Sequence, residues 1–180
     1  MRPRVVLVGP MGAGKTTVAG LLARRWQLSV RDIDDDIEVA AGKTIPEIFV
    51  DDGEAYFRLL ERAAVRAALA AHPGVLALGG GSVLDPDTQA DLRAHLVVFL
   101  HVGLGDAVKR VGLGVGRPLL LGNVRSRIKV LLDERQPVYT AVADATVETD
   151  GRDPEDVAAE VARLVEEHER APQQQEASRE

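Results

Sequence analysis

Five short runs rich in β-branched and other apolar residues punctuate the chain, at residues 4–8, 28–31, 75–78, 96–102 and 145–148. The stretches between them place apolar residues at helical spacing. This alternation predicts an α/β fold: a five-stranded parallel sheet with helices on both faces and ligands bound outside the carboxyl ends of the strands. An amphipathic helix is expected over 16–26. A longer one is expected over 54–71, with Phe57, Leu60, Ala64, Ala67 and Ala68 on its inner face and His72-Pro73-Gly74 as its stop. Thr44-Ile45-Pro46-Glu47 reads as a capping box, and Asp85-Pro86 and Asp153-Pro154 each place a capping carboxylate before proline at the first helical position. Residues 103–122 carry many glycines around Arg117-Pro118 and read as a mobile flap. Residues 171–180 are too polar to bury and read as a disordered tail, leaving residues 1–170 as a single domain.

Composition sharpens this picture. At 180 residues the chain suits one core rather than two, and with 46% hydrophobic but only 3% aromatic residues that core must be aliphatic. A net charge of −6 argues against a general nucleic-acid surface, which needs a basic face. The lack of cysteine excludes disulfides and thiolate metal sites. The first strand begins directly after Met1-Arg2-Pro3, and no apolar run approaches the ~18 residues of a membrane span, so a cytoplasmic protein without membrane contact is expected. His72, His95, His101 and His168 show no metal-ligand spacing. No apolar interface stripe is evident, and a monomer is expected.

The most specific chemistry lies after the first strand. Gly9-Pro10-Met11-Gly12-Ala13-Gly14-Lys15-Thr16 is a full G-x-x-x-x-G-K-[ST] loop set between a predicted strand and a predicted helix. Its glycines let successive N–H groups turn toward phosphate oxygens, and the helix N-terminus adds its positive dipole end. Lys15 then reaches the β- and γ-phosphates of a nucleoside triphosphate, and the Thr16 hydroxyl ligates Mg²⁺. Neither an [NT]-K-x-D base-reading segment nor a D-x-x-G switch is present, and the chain is short for a large ATPase, which leaves a compact kinase.

Asp32-Ile33-Asp34 closes the second predicted strand, where alternation along extended backbone would point both carboxylates at the space above the loop. Two acids there suit Mg²⁺ binding, directly or through water, by one and the orientation and deprotonation of an acceptor hydroxyl by the other. Asp35 and Asp36 read as a solvated helix start. Gly79-Gly80-Gly81 follows the third strand and lets backbone N–H groups approach a ligand closely.

Together these features form an ordered set: the phosphate loop, D-x-D (Asp32, Asp34), F-R-x-x-E (Phe57, Arg58, Glu61), G-G-G (79–81), R-P-L-L from Arg117, and R-x-P-x-Y (Arg135, Pro137, Tyr139). The set resembles the shikimate kinase family from about residue 4 to about residue 165. The resemblance implies transfer of the ATP γ-phosphoryl group to the 3-hydroxyl of shikimate, in aromatic amino acid biosynthesis, on a fold of the nucleoside-monophosphate-kinase type. It further implies that Arg58 and Arg135 grip the shikimate carboxylate, that Asp34 binds the ring hydroxyls and acts as base, and that Gly79, Gly80 and Gly81 contribute backbone contacts. Phe49 and Phe57 become the apolar wall and Glu61 the support of Arg58, within an acceptor region spanning about 34–61. Gly12, Ala13, Gly14, Lys15, Thr16 and Thr17 hold the ATP phosphates, Thr16 and Asp32 the Mg²⁺, and Arg110 and Arg152 flank adenine. Arg117, on a lid of about 112–123, reaches the transferring phosphate. A kinase for another small hydroxy acid, such as gluconate, is the alternative.

Overall fold

The computed structural model describes residues 2–112 and 123–177. The strands are β1 (Val5–Val8), β2 (Val30–Asp32), β3 (Val75–Ala77), β4 (Val97–His101) and β5 (Ala145–Glu148). The helices are α1 (Lys15–Trp26), α2 (Ile33–Ala41), α3 (Ile45–Asp51), α4 (Glu54–Ala71), α5 (Pro86–Leu92), α6 (Leu104–Gly112), α7 (Val124–Val142) and α8 (Pro154–Ala177). A single helical turn at Ser82–Leu84 precedes α5.

All five strands are parallel, in the order β2-β3-β1-β4-β5, with Val6 of β1 opposite Leu76 on one side and Val97 on the other. The α/β expectation holds. Because β1 is central and the chain departs from it to both sides, the loops diverge above its carboxyl end and leave a crevice there. Alternation along the strands divides the core into two layers. Val5, Leu7, Val98 and Leu100 pack with Val18 and Leu22 of α1 and Val161 and Val165 of α8. Val6, Val8, Leu76 and Phe99 pack with Ile33, Ile48, Phe57 and Tyr139 on the opposite face. Truncating one of these buried leucines or isoleucines to alanine costs about 2–5 kcal/mol in such packing.

The cap signals behave as read at Thr44 and Asp85. Thr44 and Glu47 form a reciprocal capping box on α3, and Asp85 caps α5 ahead of Pro86. Three expectations are corrected. β2 ends at Asp32, and Asp34 stands in the first turn of α2 rather than on extended backbone. The Asp32 carboxylate accepts the Asp34 N–H at 3.1 Å, so a side-chain cap diverts the chain into a helix two residues early. On α4 the buried stripe is Phe57, Glu61, Val65, Ala68 and Leu69; Ala67 faces solvent, and a carboxylate takes a place that hydrophobicity alone would not give it. α8 continues to Ala177 where a disordered tail was expected from residue 171, because Gln, Glu and Ala all have good helix propensity. A further expectation gives way in part: residues 104–112 of the expected flap form α6, which buries Ala107 and Val111 in the core, while most of the expected lid, with Arg117, lies outside the described residues.

Candidate active site

The phosphate loop leaves β1 and turns into α1 through left-handed backbone at Gly12 (φ 81°) and Gly14 (φ 87°), conformations that a side chain would strain. Gly14 is the N-cap of α1 and contributes no side chain to the cap, so the N–H groups of the first turn face the crevice without an intrahelical acceptor. Lys15 Nζ donates to the carbonyls of Gly9 (2.8 Å) and Pro10 (3.0 Å), which folds the ammonium back across the loop's concave side. Thr16 Oγ1 donates to Asp32 Oδ2 at 2.8 Å, which brings two oxygen donors of the expected Mg²⁺ site together.

Beside the loop lies a cavity of about 630 Å³ that contains nearly every expected site residue. Gly12, Gly14, Lys15, Thr16 and Thr17 line its phosphate end. Asp32, bonded to Thr16, leads to the other, which Asp34, Phe49, Phe57, Arg58 and Glu61 line together with Gly79, Gly80, Gly81 and Arg135, and Arg110 also borders the cavity. Ala13 is buried beneath the loop and faces a second cavity. The helical placement of Asp34 still delivers its carboxylate to the cavity. Burial, and then the neighbouring Asp32 carboxylate, push Asp34 up from 3.8 to about 6, with Lys15 opposing and Glu61 and Asp35 adding to the rise. A carboxylate with a pKa just below neutrality is ionised at pH 7 and basic enough to accept a hydroxyl proton.

Two arginines line the same cavity. Arg58 Nη1 donates to Glu61 Oε2 at 2.6 Å, and its Nη2 donates to Glu54 Oε1 at 3.0 Å. Glu61, only 4% exposed, is held in turn by Ser82 Oγ, which donates to Glu61 Oε1 at 2.7 Å. Arg58 is thereby pinned along α4, and its guanidinium lies against Gly81, where a Cβ would come within 2.3 Å of Nη1. At Gly79 a Cβ would lie 2.8 Å from Asp34 Oδ1 and 2.9 Å from Glu61 Oε1. The glycine run is therefore a requirement of close approach at both of these positions. Arg135 is 8% exposed, and no carboxylate pairs with it among the described residues. A buried cation without an anionic partner is costly unless a ligand supplies the charge. Phe49 and Phe57 meet at 4.8 Å between centroids and form the apolar wall.

The second cavity, about 250 Å³, opens on the far side of the loop between Arg110, Thr149, Arg152 and Pro154. Arg110 donates to the carbonyls of Gly12 (3.1 Å) and Thr149 (2.7 Å), and Arg152 donates to Glu160 Oε2 at 2.7 Å, so both guanidiniums are fixed as flat walls. Sequence reading did not assign roles to Ser82, Tyr139 or Glu38. Glu38 Oε1 accepts the Ile45 N–H at 2.8 Å and joins α2 to α3 at the cavity edge. Ser82 directly follows the glycine triplet and Tyr139 lies one turn beyond Arg135; those adjacencies were the available signals. Among the described residues, no group of three or more His, Asp or Glu side chains is arranged to hold a metal ion.

A glycine-rich phosphate-loop motif on a parallel sheet, with a raised-pKa carboxylate and two arginines in the adjoining cavity, defines a small-molecule kinase of the P-loop class. The family model of shikimate kinase matches residues 11–166. The shikimate kinase of Salinispora arenicola is 60% identical over 165 residues, covering 92% of this chain and 99% of that protein. That of Streptomyces avermitilis is 56% identical over 156 residues, covering 87% and 91%. The solved shikimate kinase of Acinetobacter baumannii in complex with shikimate superposes with a TM-score of 0.88 at 34% identity, over 93% of this chain and 94% of that one. The chain belongs to the shikimate kinase family. Its activity is the ATP-dependent phosphorylation of shikimate in the shikimate pathway.

Proposed function

We propose that the large cavity seats shikimate with its carboxylate between Arg58 and Arg135 and its 3-hydroxyl beside Asp34, and that the reaction releases shikimate 3-phosphate and ADP. The observation that carries this reading is Arg135, a buried guanidinium with no carboxylate partner among the described residues, converging with Arg58 on a cavity that also holds a raised-pKa carboxylate. Guanidinium forks suit a carboxylate because they give paired, charge-assisted hydrogen bonds.

Asp34 accepts the proton as the acceptor oxygen forms its bond to the γ-phosphorus and the bond to the β-γ bridging oxygen breaks. Lys15 releases the loop carbonyls and moves onto the phosphates; the loop N–H groups and Arg117 share the charge that develops there. Arg117 has its role from the family resemblance alone. Thr16 and Asp32 fit Mg²⁺, a cation that takes oxygen ligands and keeps most of its remaining positions for phosphate and water. When bound, Mg²⁺ neutralises charge on the β- and γ-oxygens. Arg110 and Arg152 stack on the adenine ring.

Among the described residues no helix is long and apolar enough to cross a membrane. A cytoplasmic monomer without nucleic-acid or membrane partners is the arrangement that fits the acidic composition. The test pairs two measurements: positional assignment of the product phosphate by NMR, and shikimate saturation curves for Arg58→Ala and Arg135→Ala. A phosphate on the 3-hydroxyl and at least a tenfold rise in KM for shikimate in both variants are expected. A phosphate elsewhere on the ring, or unchanged shikimate saturation, defeats the assignment.

A further inference from the structure

We infer that Tyr139 is a positioning residue for the acceptor site, its hydroxyl tying the Gly80 carbonyl to Arg135 so that the two sides of the carboxylate seat keep a fixed separation. The inference rests on the carboxylate reading of Arg135 given above. Tyr139 follows Arg135 by four residues on α7, so the two side chains rise from the same helical face. Tyr139 is 1% exposed, and its ring stacks on Phe99 of β4 with centroids 5.0 Å apart at 26°. This contact fixes the direction of the hydroxyl. The hydroxyl donates to the Gly80 carbonyl, and the Arg135 guanidinium lies beside it at the same residue. A Cβ built on Gly80 would lie 3.6 Å from Tyr139 Oη and 3.7 Å from Arg135 Nη1, so both polar ends meet over that residue.

Tyr139 itself does not line the cavity, whereas Gly80 and Arg135 both do. It therefore acts through them. Pro137 lies between Arg135 and Tyr139 and has no N–H to donate, which removes one rung of the α7 ladder at this level. The segment that carries Arg135 accordingly depends on side-chain anchoring more than an unbroken helix would. Loss of the hydroxyl leaves the Gly80 carbonyl without its donor and lets the guanidinium turn, while the aromatic packing survives.

The experiment is a double-mutant cycle of Tyr139→Phe and Arg135→Ala, with kcat and both KM values measured in the presence of Mg²⁺. A hydrogen bond involving a charged group supports a change of about tenfold, and Tyr139→Phe is expected to raise KM for shikimate by about that factor. KM for ATP should stay within about twofold and kcat within about threefold. In the Arg135→Ala background the Tyr139→Phe effect should shrink to less than about twofold, because coupled residues are not additive. A tenfold effect that persists in that background overturns the inference, as does a Tyr139→Phe enzyme that loses affinity for both substrates alike. If Arg135→Ala raises KM for shikimate and Tyr139→Phe does not, the positioning role fails and the carboxylate reading survives. If Arg135→Ala itself changes nothing, both fail. Phe99→Leu supplies the second variant: it loosens the ring and keeps the hydroxyl. It is expected to raise KM for shikimate about threefold without moving KM for ATP, and an unchanged ratio of the two overturns the inference.

Discussion

Asp34→Asn should separate catalysis from stability in opposite directions. In the folded protein the Asp34 carboxyl is raised from 3.8 to about 6, first by burial and then by the Asp32 carboxylate. A shift of about 2.2 units at 1.36 kcal/mol each corresponds to about 3 kcal/mol. The folded state binds this proton more tightly than the unfolded chain, so stability falls as pH rises from about 4 to about 6. The cost is absent below that window and complete above it. No hydrogen bond to the carboxylate is found among the described residues, so the neutral amide sacrifices little. Urea unfolding of both proteins at two pH values isolates the effect of this charge, because titrating groups that do not interact with Asp34 cancel in the difference. At pH 7.5 the variant should be more stable by up to about 3 kcal/mol, shrinking to about 1 kcal/mol at pH 4.5. Turnover should fall by about two to four orders of magnitude through loss of the base. A variant that is less stable than the parent at pH 7.5, or whose advantage does not change with pH, refutes the electrostatic reasoning. Retention of turnover refutes the base assignment.

Gly81→Ala should raise KM for shikimate by about tenfold with the fold intact, since its backbone is unstrained (φ −101°) and the new Cβ displaces only the Arg58 guanidinium; saturation curves with a thermal melt check this. Thr16→Val keeps the shape and loses the hydroxyl shared with Asp32, so kcat should drop by about two orders of magnitude and the Mg²⁺ requirement should rise, read from a metal titration of activity. Arg4→Ala removes a fork onto Glu169 and the guanidinium lying 4.2 Å over the ring of Trp26, the single tryptophan. It should cost about 1 kcal/mol and shift the tryptophan emission with turnover unchanged, measured by denaturant unfolding followed at that fluorophore.

Local patterns carried the fold. The β-branched runs and the Thr44 and Asp85 caps are decided by neighbours in sequence, and the structure places them accordingly. Where a side chain competes with backbone regularity, alternation misleads: the Asp32 carboxylate captures the Asp34 N–H and starts α2 in what reads as a strand. Glu61 was legible as a partner of Arg58 from its three-residue spacing. Its burial was not, because that depends on Ser82, brought in from 21 residues away. Tyr139 is a similar case. Its place four residues after Arg135 is in the sequence, but its acceptor, the Gly80 carbonyl, is supplied only when α7 packs against the helical turn at Ser82–Leu84 that follows the glycine run. The cavity's composition could be read residue by residue from motifs, whereas the mutual support of those residues is a product of tertiary packing.

The most direct measurement of the central claim is ADP release by the full chain with MgATP and, in parallel, shikimate, gluconate or no acceptor. The account predicts turnover that saturates with shikimate, with gluconate and the acceptor-free reaction at background. Equal rates in all three, or turnover driven by gluconate, would contradict it and would leave Arg58, Arg135 and Asp34 without the acceptor for which their geometry is argued.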